Sequence, residues 1–289
     1  MENKLRILIA GGDMRQIYCA GRLSQEYDTA VIGFDEKYFS DNSESAKSVL
    51  SDGEPFDCAV LPVPPLDDEG MLSTPCYTEK IDPYTIKKLL RPDGIVFTGK
   101  SDERLTEIFT GMEICDYMKR EELSLKNAIP SAEGAVQLAL EELPVTLNGL
   151  KVLIVGMGRI GTALTEILKG FGSDITVAVR NARGAANARI HGVKSVRTDK
   201  IDTDYELVFN TVPSLVFESE LLNRFSDKTL FIDLASKPGG IDFDSAAKLG
   251  KKVVWALGLP GKTAPVTSGE IIAETVSDIL EERSERYDV

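Results

Sequence analysis

The sequence predicts an α/β protein built as two doubly wound parallel-sheet domains, and three observations carry that expectation. Its 289 residues exceed the usual size of one domain, about 100–150 residues, and suffice for two cores. Short β-branched runs alternate with helical patterns, the order produced by parallel strands joined through crossover helices. One such run passes directly into Gly156-Met157-Gly158-Arg159-Ile160-Gly161 and then into a helical pattern, so a glycine turn joins strand to helix.

The first series of strands is expected at 6–10, 29–33, 58–61 and 95–98. Their carboxyl ends carry Gly11-Gly12-Asp13-Met14-Arg15-Gln16, Pro62-Val63-Pro64-Pro65 and Gly99-Lys100, so polar groups gather at one sheet edge. Because Gly11-Gly12 does not extend into a GxGxxG pattern, that corner reads as a small-molecule site or a plain structural turn. This domain is expected to be flavodoxin-like and to span 1–122. Beyond it, the stretch 108–142 holds one turn cluster, Asn127-Ala128-Ile129-Pro130-Ser131, followed by an amphipathic linking helix over 132–142. Ser131 is its expected N-cap, with Glu133 one position short of capping-box spacing. After Pro144, strands at 151–155, 174–179, 207–210, 229–233 and 252–256 make a Rossmann dinucleotide-binding domain over 123–267. The last pattern puts Ile271, Ile272, Thr275, Val276, Ile279 and Leu280 on one side of a helix, and this helix, 268–285, is expected to fold back on the first domain. Disorder is expected only in the tail, 281–289.

Composition excludes several classes. Hydrophobic residues at 43% and charged residues at 27% suit a globular chain. A net charge of -13, with no basic cluster interleaved with aromatics, opposes a phosphate backbone and sets nucleic acid aside. Apolar runs such as 152–155 and 253–257 fall far short of the roughly 20 residues that span a bilayer. The start lacks the apolar region of a signal peptide, so a soluble, cytoplasmic protein is expected. Cys19, Cys58, Cys76 and Cys115 are widely spaced and the chain has one histidine, so reduced structural thiols are expected and no metal site.

The turn at 156–161 supplies the dinucleotide expectation. Gly156 allows the tight turn, Gly158 lets a pyrophosphate approach the backbone, and Gly161 lets helix and strand pack closely. Arg159 and Ile160 open the helix whose N-terminus faces the phosphates. At the end of the next strand, where an acidic residue grips the ribose of NAD, stand Arg180, Asn181 and Arg183. Cations there attract a 2′-phosphate, so NADP is favoured over NAD. Thr211, Val212 and Pro213, then Leu234 and Ala235, follow later strands and are expected to frame the nicotinamide half. Asn210 and Asp233 read equally as ligand groups or as turn-makers bonded to local backbone.

Arg15, opening a helix at the first strand's end, is the cation best placed to hold a carboxylate, with a surface arginine as the alternative. Lys262, Thr267 and Ser268 follow the last strand and are expected to face it, completing a pocket for an anionic substrate. His191 ends a crossover helix and reads as a surface residue, which removes the histidine-based 2-hydroxyacid dehydrogenase mechanism.

With these residues in view, the chain resembles the A-subunit family of bacterial dipicolinate synthase over nearly its whole length. The resemblance rests on Gly11-Gly12-Asp13 with Arg15-Gln16, on Ile129-Pro130-Ser131-Ala132-Glu133-Gly134-Ala135, and on the turn at 156–161. It continues through Asn210-Thr211-Val212-Pro213-Ser214, Asp233-Leu234-Ala235-Ser236-Lys237-Pro238-Gly239-Gly240 and Gly258-Leu259-Pro260-Gly261-Lys262-Thr263-Ala264-Pro265. The segment 61–78, with Pro64-Pro65 and an acidic stretch, departs from the family pattern. The resemblance implies the domain arrangement of formate and glycerate dehydrogenases. It also implies NADP-dependent oxidation, with loss of water, of the cyclic product of aspartate semialdehyde and pyruvate, giving pyridine-2,6-dicarboxylate during sporulation. A flavoprotein-like B subunit is the implied partner, in the mother-cell cytoplasm, and a homo-oligomer is expected. Arg15 and Lys262 would then hold the two substrate carboxylates, and Asp13 or Glu133 would take the proton unless each is a satisfied helix-end carboxylate. The alternatives are a non-catalytic regulatory protein that binds NADP, or a 2-hydroxyacid or alanine-dehydrogenase-like oxidoreductase.

Overall fold

The structure, a computed structural model, describes residues 4–39, 47–48 and 53–287. By its internal contacts the chain divides into two compact units, Met1–Lys126 with Ala264–Val289, and Asn127–Thr263.

The first unit begins with β1 (Arg6–Ala10), α1 (Met14–Leu23), β2 (Asp28–Ile32), β3 (Lys47–Ser48) and β4 (Phe56–Val60). It continues with α2 (Pro83–Leu89), β5 (Leu90–Thr98), α3 (Glu103–Ile108), β6 (Glu113–Asp116) and the first part of α4 (Glu121–Glu142). Every pairing is parallel, in the order β3-β2-β1-β4-β5-β6. Without the two-residue β3 this is the flavodoxin order. Ile7, Leu8, Ile9 and Ala10 are wholly buried, as expected of a central strand covered on both faces. Asp13, Asp82 and Asp102 cap α1, α2 and α3 by accepting from backbone N–H groups, so each helix starts where an aspartate ends the loop. Strand β6 lies outside the strands the sequence predicts; its residues Glu-Ile-Cys-Asp sit at a sheet edge and carry no apolar run.

Helix α4 corrects two expectations. The segment 127–131 is not a turn but helix interior, and Ser131 is not an N-cap, its hydroxyl donating instead to the Asn127 carbonyl at 2.7 Å. Pro130, which brings no N–H, denies the Lys126 carbonyl its helical bond. That break falls where the first unit ends at Lys126 and the second begins at Asn127.

The second unit runs through β7 (Lys151–Val155), α5 (Arg159–Phe171), β8 (Asp174–Val179), α6 (Ala182–Ile190), β9 (Lys194–Arg197) and β10 (Leu207–Asn210). It closes with α7 (Ser219–Arg224), β11 (Leu230–Asp233), α8 (Phe243–Lys248), β12 (Lys252–Trp255) and α9 (Leu259–Thr263). All strands are parallel in the order β12-β11-β10-β7-β8-β9, the Rossmann arrangement. Edge strand β9, Lys-Ser-Val-Arg, again escapes the apolar pattern. Helix α5 runs through Gly170 to Phe171 and stops at Gly172, whose φ of 76° is the left-handed C-cap conformation.

The C-terminal helix α10 (Pro265–Tyr287) belongs to the first unit. Gly269 meets α1 at backbone distance, a Cβ there falling 2.4 Å from the Arg15 carbonyl oxygen. Ile271, Ile272, Val276, Ile279 and Leu280 join the core around Ile7, Ile9 and Ile17. Arg120 grips Glu282 through two hydrogen bonds, and the helix continues to Tyr287, two residues past the end the sequence predicts, while 288–289 of the expected tail lie outside the described residues.

Candidate dinucleotide site

The β7–α5 corner is shaped by its three glycines, each for a different reason. Gly156 has φ +98°, and a Cβ would fall 2.5 Å from Thr211 Oγ1 and 2.8 Å from Val212 Cγ1. At Gly161 a Cβ would fall 2.1 Å from the Gly156 carbonyl oxygen, so only glycine lets α5 close on the turn. Gly158 differs: nothing of the protein lies within 4 Å of its Cβ position. Internal packing accounts for the first and third glycines, and what approaches from outside accounts for the second. Gly158 is also the N-cap of α5, and no side chain caps that helix. These features fit a dinucleotide pyrophosphate, an anion that needs close backbone approach and free N–H donors.

Over this corner opens a pocket of about 400 Å³ at the carboxyl ends of β7, β8 and β10. Its wall includes Gly156, Gly158, Arg180, Asn181, Arg183, Thr211 and Val212, which the sequence singles out, and also Met157, Asn187, Thr198 and Val216, which it does not. Thr198 follows β9, so missing that strand meant missing the residue. Arg180 and Arg183 are exposed, with no ion pair among the described residues, and the pocket wall contains no carboxylate. Asn181 has a structural duty, its Oδ1 accepting from the Gly184 N–H at 3.0 Å to cap α6. Thr211 Oγ1 donates to the Val155 carbonyl at 2.8 Å, which locks the β10 loop to β7.

Arg159, Ile160 and Gly161 lie in the first turn of α5, outside the pocket wall, as do Pro213, Leu234 and Ala235 beyond β10 and β11. Asp233 and Asn210 are wholly buried and local in their bonding. Asp233 accepts from Asn210 Nδ2 at 2.7 Å, the Ala235 N–H at 3.0 Å and the Gly240 N–H at 2.8 Å. Between them the two residues tie the loops after β10 and β11 together.

In the first unit Asp13 and Arg15 bind each other. Arg15 Nε donates to Asp13 Oδ1 at 2.9 Å and Nη2 to Oδ2 at 2.8 Å, while the Arg15 N–H donates to Oδ1 at 3.0 Å. Burial disfavours both charges, but the mutual hydrogen bonds and attraction outweigh it, holding the Asp13 pKa below its ordinary range and that of Arg15 above its own. Ser268 belongs to this unit but is only 1% exposed, so it presents no hydroxyl to a ligand there. Glu133 and Lys262 belong to the second unit, both exposed. Gly134 approaches Thr263 so closely that a Cβ would fall 2.5 Å from Oγ1, so α4 and α9 meet one residue along the chain from Glu133 and from Lys262. His191 is the C-cap of α6, bonded through Nδ1 to Glu166 at 2.8 Å and outside the pocket wall. Among the described residues no cluster of three or more His, Cys, Asp or Glu is arranged to hold a metal ion, and no helix is long and apolar enough to cross a membrane.

Residues 6–118 match the N-terminal domain of the dipicolinate synthase A subunit, and residues 129–236 match the NAD-binding domain of D-isomer specific 2-hydroxyacid dehydrogenases. The chain is 31% identical to the dipicolinate synthase A subunit of Bacillus subtilis (strain 168), covering 96% of each. Among solved structures it is similar to the dipicolinate synthase A subunit from Bacillus halodurans, with 28% identity and a TM-score of 0.87, covering 96% of this chain and 97% of that one. It is likewise similar to the solved structure of the Bacillus subtilis A subunit, with 30% identity and a TM-score of 0.86, covering 99% of each.

Proposed function

We propose, proceeding from a chain that belongs to the A-subunit family of dipicolinate synthase and carries a dehydrogenase-type NAD-binding domain, that it oxidises a cyclic dicarboxylate with NADP. The observation that carries this reading is the pocket over Gly158, whose wall holds Arg180 and Arg183 and no carboxylate. A 2′-phosphate suits that wall; a bare ribose diol finds no acceptor of the usual kind.

The substrate class follows from the family relation. Joining the methyl carbon of pyruvate to the aldehyde carbon of aspartate semialdehyde, with ring closure by the amine, leaves a hydroxyl on the ring carbon opposite the nitrogen. Reaching pyridine-2,6-dicarboxylate from there removes one water, one hydride and one proton. The nicotinamide ring, when bound, supplies the hydride acceptor. Around it the chain has to hold the ring and its two charges, since aromatisation drives the rest. Arg15, oriented by Asp13, and Lys262 are the carboxylate holds in this reading. Asp13, paired with Arg15 and with its pKa held below the ordinary range, is a weak base, which leaves Glu133 as the proton acceptor in this reading.

In this reading the first unit, taken as 1–122 with the C-terminal helix, handles the substrate, and 123–267 handles the cofactor. A partner B subunit, assembly into a homo-oligomer and a cytoplasmic place during sporulation complete it, the first supported by the relative's designation as one of the enzyme's named subunits. Calorimetric titration with both cofactors tests the core of the claim: NADP is expected to bind at least about tenfold more tightly than NAD, and Arg180→Ala to remove that preference, a loss on the order of 1.5–3 kcal/mol. Equal affinities, or tighter NAD, would sink it. Mixing the chain with a B subunit, pyruvate, aspartate semialdehyde and NADP, and following the ultraviolet absorption of the pyridine ring, separates catalysis from a purely regulatory role.

A further inference from the structure

Beside the Asp13–Arg15 pair lies a small pocket in the first unit, walled by Arg15, Gln16, Val63, Tyr117 and Ile272. Its volume of about 10 Å³ is room for roughly one oxygen-sized group. Gln16 is only 2% exposed, yet neither its Nε2 nor its Oε1 has a hydrogen-bond partner. Its surroundings hold it there: Gly12, with φ +102°, has no Cβ, and one built there would fall 2.4 Å from Gln16 Cγ. The neighbouring Tyr117 hydroxyl gives its proton to the Leu61 carbonyl at 2.8 Å, so toward the amide it can only accept from Nε2, and Oε1 is left without a donor. Burial pushes the Tyr117 pKa up, so that hydroxyl stays protonated and keeps donating.

An unpartnered buried amide costs free energy in the unliganded fold, so its retention calls for a group that completes it. The amide offers one donor edge and one acceptor edge side by side. A carboxylate oxygen only accepts and leaves Oε1 unmet, whereas a hydroxyl accepts from Nε2 and donates to Oε1. Charge points the same way, since Asp13 neutralises Arg15 next to the pocket and would repel an anion pressed into it. The outer Nη1 edge of Arg15, which the Asp13 pair does not use, is left for a carboxylate elsewhere on the same molecule.

We propose that Gln16 is a specificity-determining residue that reads the ring hydroxyl of the substrate, so that the first unit selects the hydroxylated ring over its dehydrated form. The assignment rests on the dicarboxylate reading above. It makes Gln16 a binding residue for the group that later leaves as water.

Calorimetry on the full chain in the presence of NADP tests it with two saturated probes, 4-hydroxypiperidine-2,6-dicarboxylate and piperidine-2,6-dicarboxylate. The wild type is expected to prefer the hydroxylated probe by about tenfold or more. Gln16→Met, close in shape and without the amide, is expected to abolish that preference while holding affinity for the deoxy probe within about twofold. Its thermal midpoint should equal or exceed the parent's, because an unmet buried polar group has been removed. Gln16→Leu is the second variant, with the same expectation. A wild type with no preference, or one whose preference survives Gln16→Met, overturns the proposal and leaves the dicarboxylate reading standing. A lowered midpoint with equal loss of both probes overturns it in favour of a structural glutamine. Binding of neither probe by the wild type overturns both.

Discussion

The corners after β1 and after β7 share a topology and differ in what occupies the helix start. Both join a buried parallel strand through glycines to a helix at the point where the strand order reverses. After β7 the helix opens with Gly158, which brings no capping side chain and has open space above it. After β1 the equivalent place is taken by Asp13, which caps α1 and clamps Arg15. A helix N-terminus attracts negative charge in either case. In the first unit the protein supplies that charge itself; in the second it leaves the position for a ligand. One fold plan thus yields an uncapped, open helix start in one unit and an internally neutralised corner, with an unmet amide beside it, in the other.

The largest expected effect breaks the second corner from within. Gly161→Ala puts a methyl 2.1 Å from the Gly156 carbonyl oxygen, an overlap with rigid backbone. It is expected to lower stability by about 3 kcal/mol or more and to abolish dinucleotide binding. Gly158→Ala is its control, since the space there is empty: urea unfolding should match the parent while NADP affinity falls. Normal folding of Gly161→Ala, or unfolding of Gly158→Ala, would mean that the turn is read wrongly.

The next effect breaks the first corner. Asp13→Ala removes the cap of α1 and leaves Arg15 without its partner. Because the Asp13 side chain is 35% exposed, solvent trims the loss to about 2 kcal/mol by denaturant titration. The pH dependence has a definite sign. The folded-state pKa of Asp13 lies below the ordinary 3.8, so the stabilisation is present above that value and is lost as pH falls through the folded one. The gap between parent and variant should therefore narrow only under strong acid. A gap that instead narrowed on raising the pH would contradict the pairing.

The smallest effect is expected at His191, which caps α6 and bonds the exposed Glu166 outside both corners. His191→Ala should leave turnover within a few fold of the parent, because Glu166 is half exposed and such surface pairs contribute little. A hundredfold loss with the fold intact would move the chemistry to a place neither corner occupies.

Where burial writes a pattern, the sequence could be read. Strands β1 and β7 are covered on both faces, so their apolar runs stand out, and the glycines after β7 announce their spacing. Edge strands β6 and β9 have solvent along one side and spell Glu-Ile-Cys-Asp and Lys-Ser-Val-Arg, which no apolar periodicity marks. Pro130 looked like a helix stop because local propensity argues for one, yet packing of Ala128, Ala132, Ala135 and Val136 holds α4 helical through it. Of the candidate site, the pocket wall was visible at the glycine turn and at the strand ends around Arg180 and Thr211, whereas Asn187 and Thr198 depend on how α6 and β9 lie against β8. Gln16 stands in the sequence only as the last member of the segment after β1; its burial with an unmet amide is what gives it a role of its own.

Helix α10 has a consequence for how the molecule comes into being. The first unit takes its final helix from the far end of the chain, with the whole second unit lying between in sequence. During synthesis, then, the unit begun second is complete once Thr263 has left the ribosome, while the unit begun first still lacks Ile271, Ile272, Val276 and Ile279 from its core. The apolar face of α1 has to wait, uncovered, until the last helix emerges. Completion runs in the opposite order to initiation, and the nucleotide-binding half is whole before its companion is.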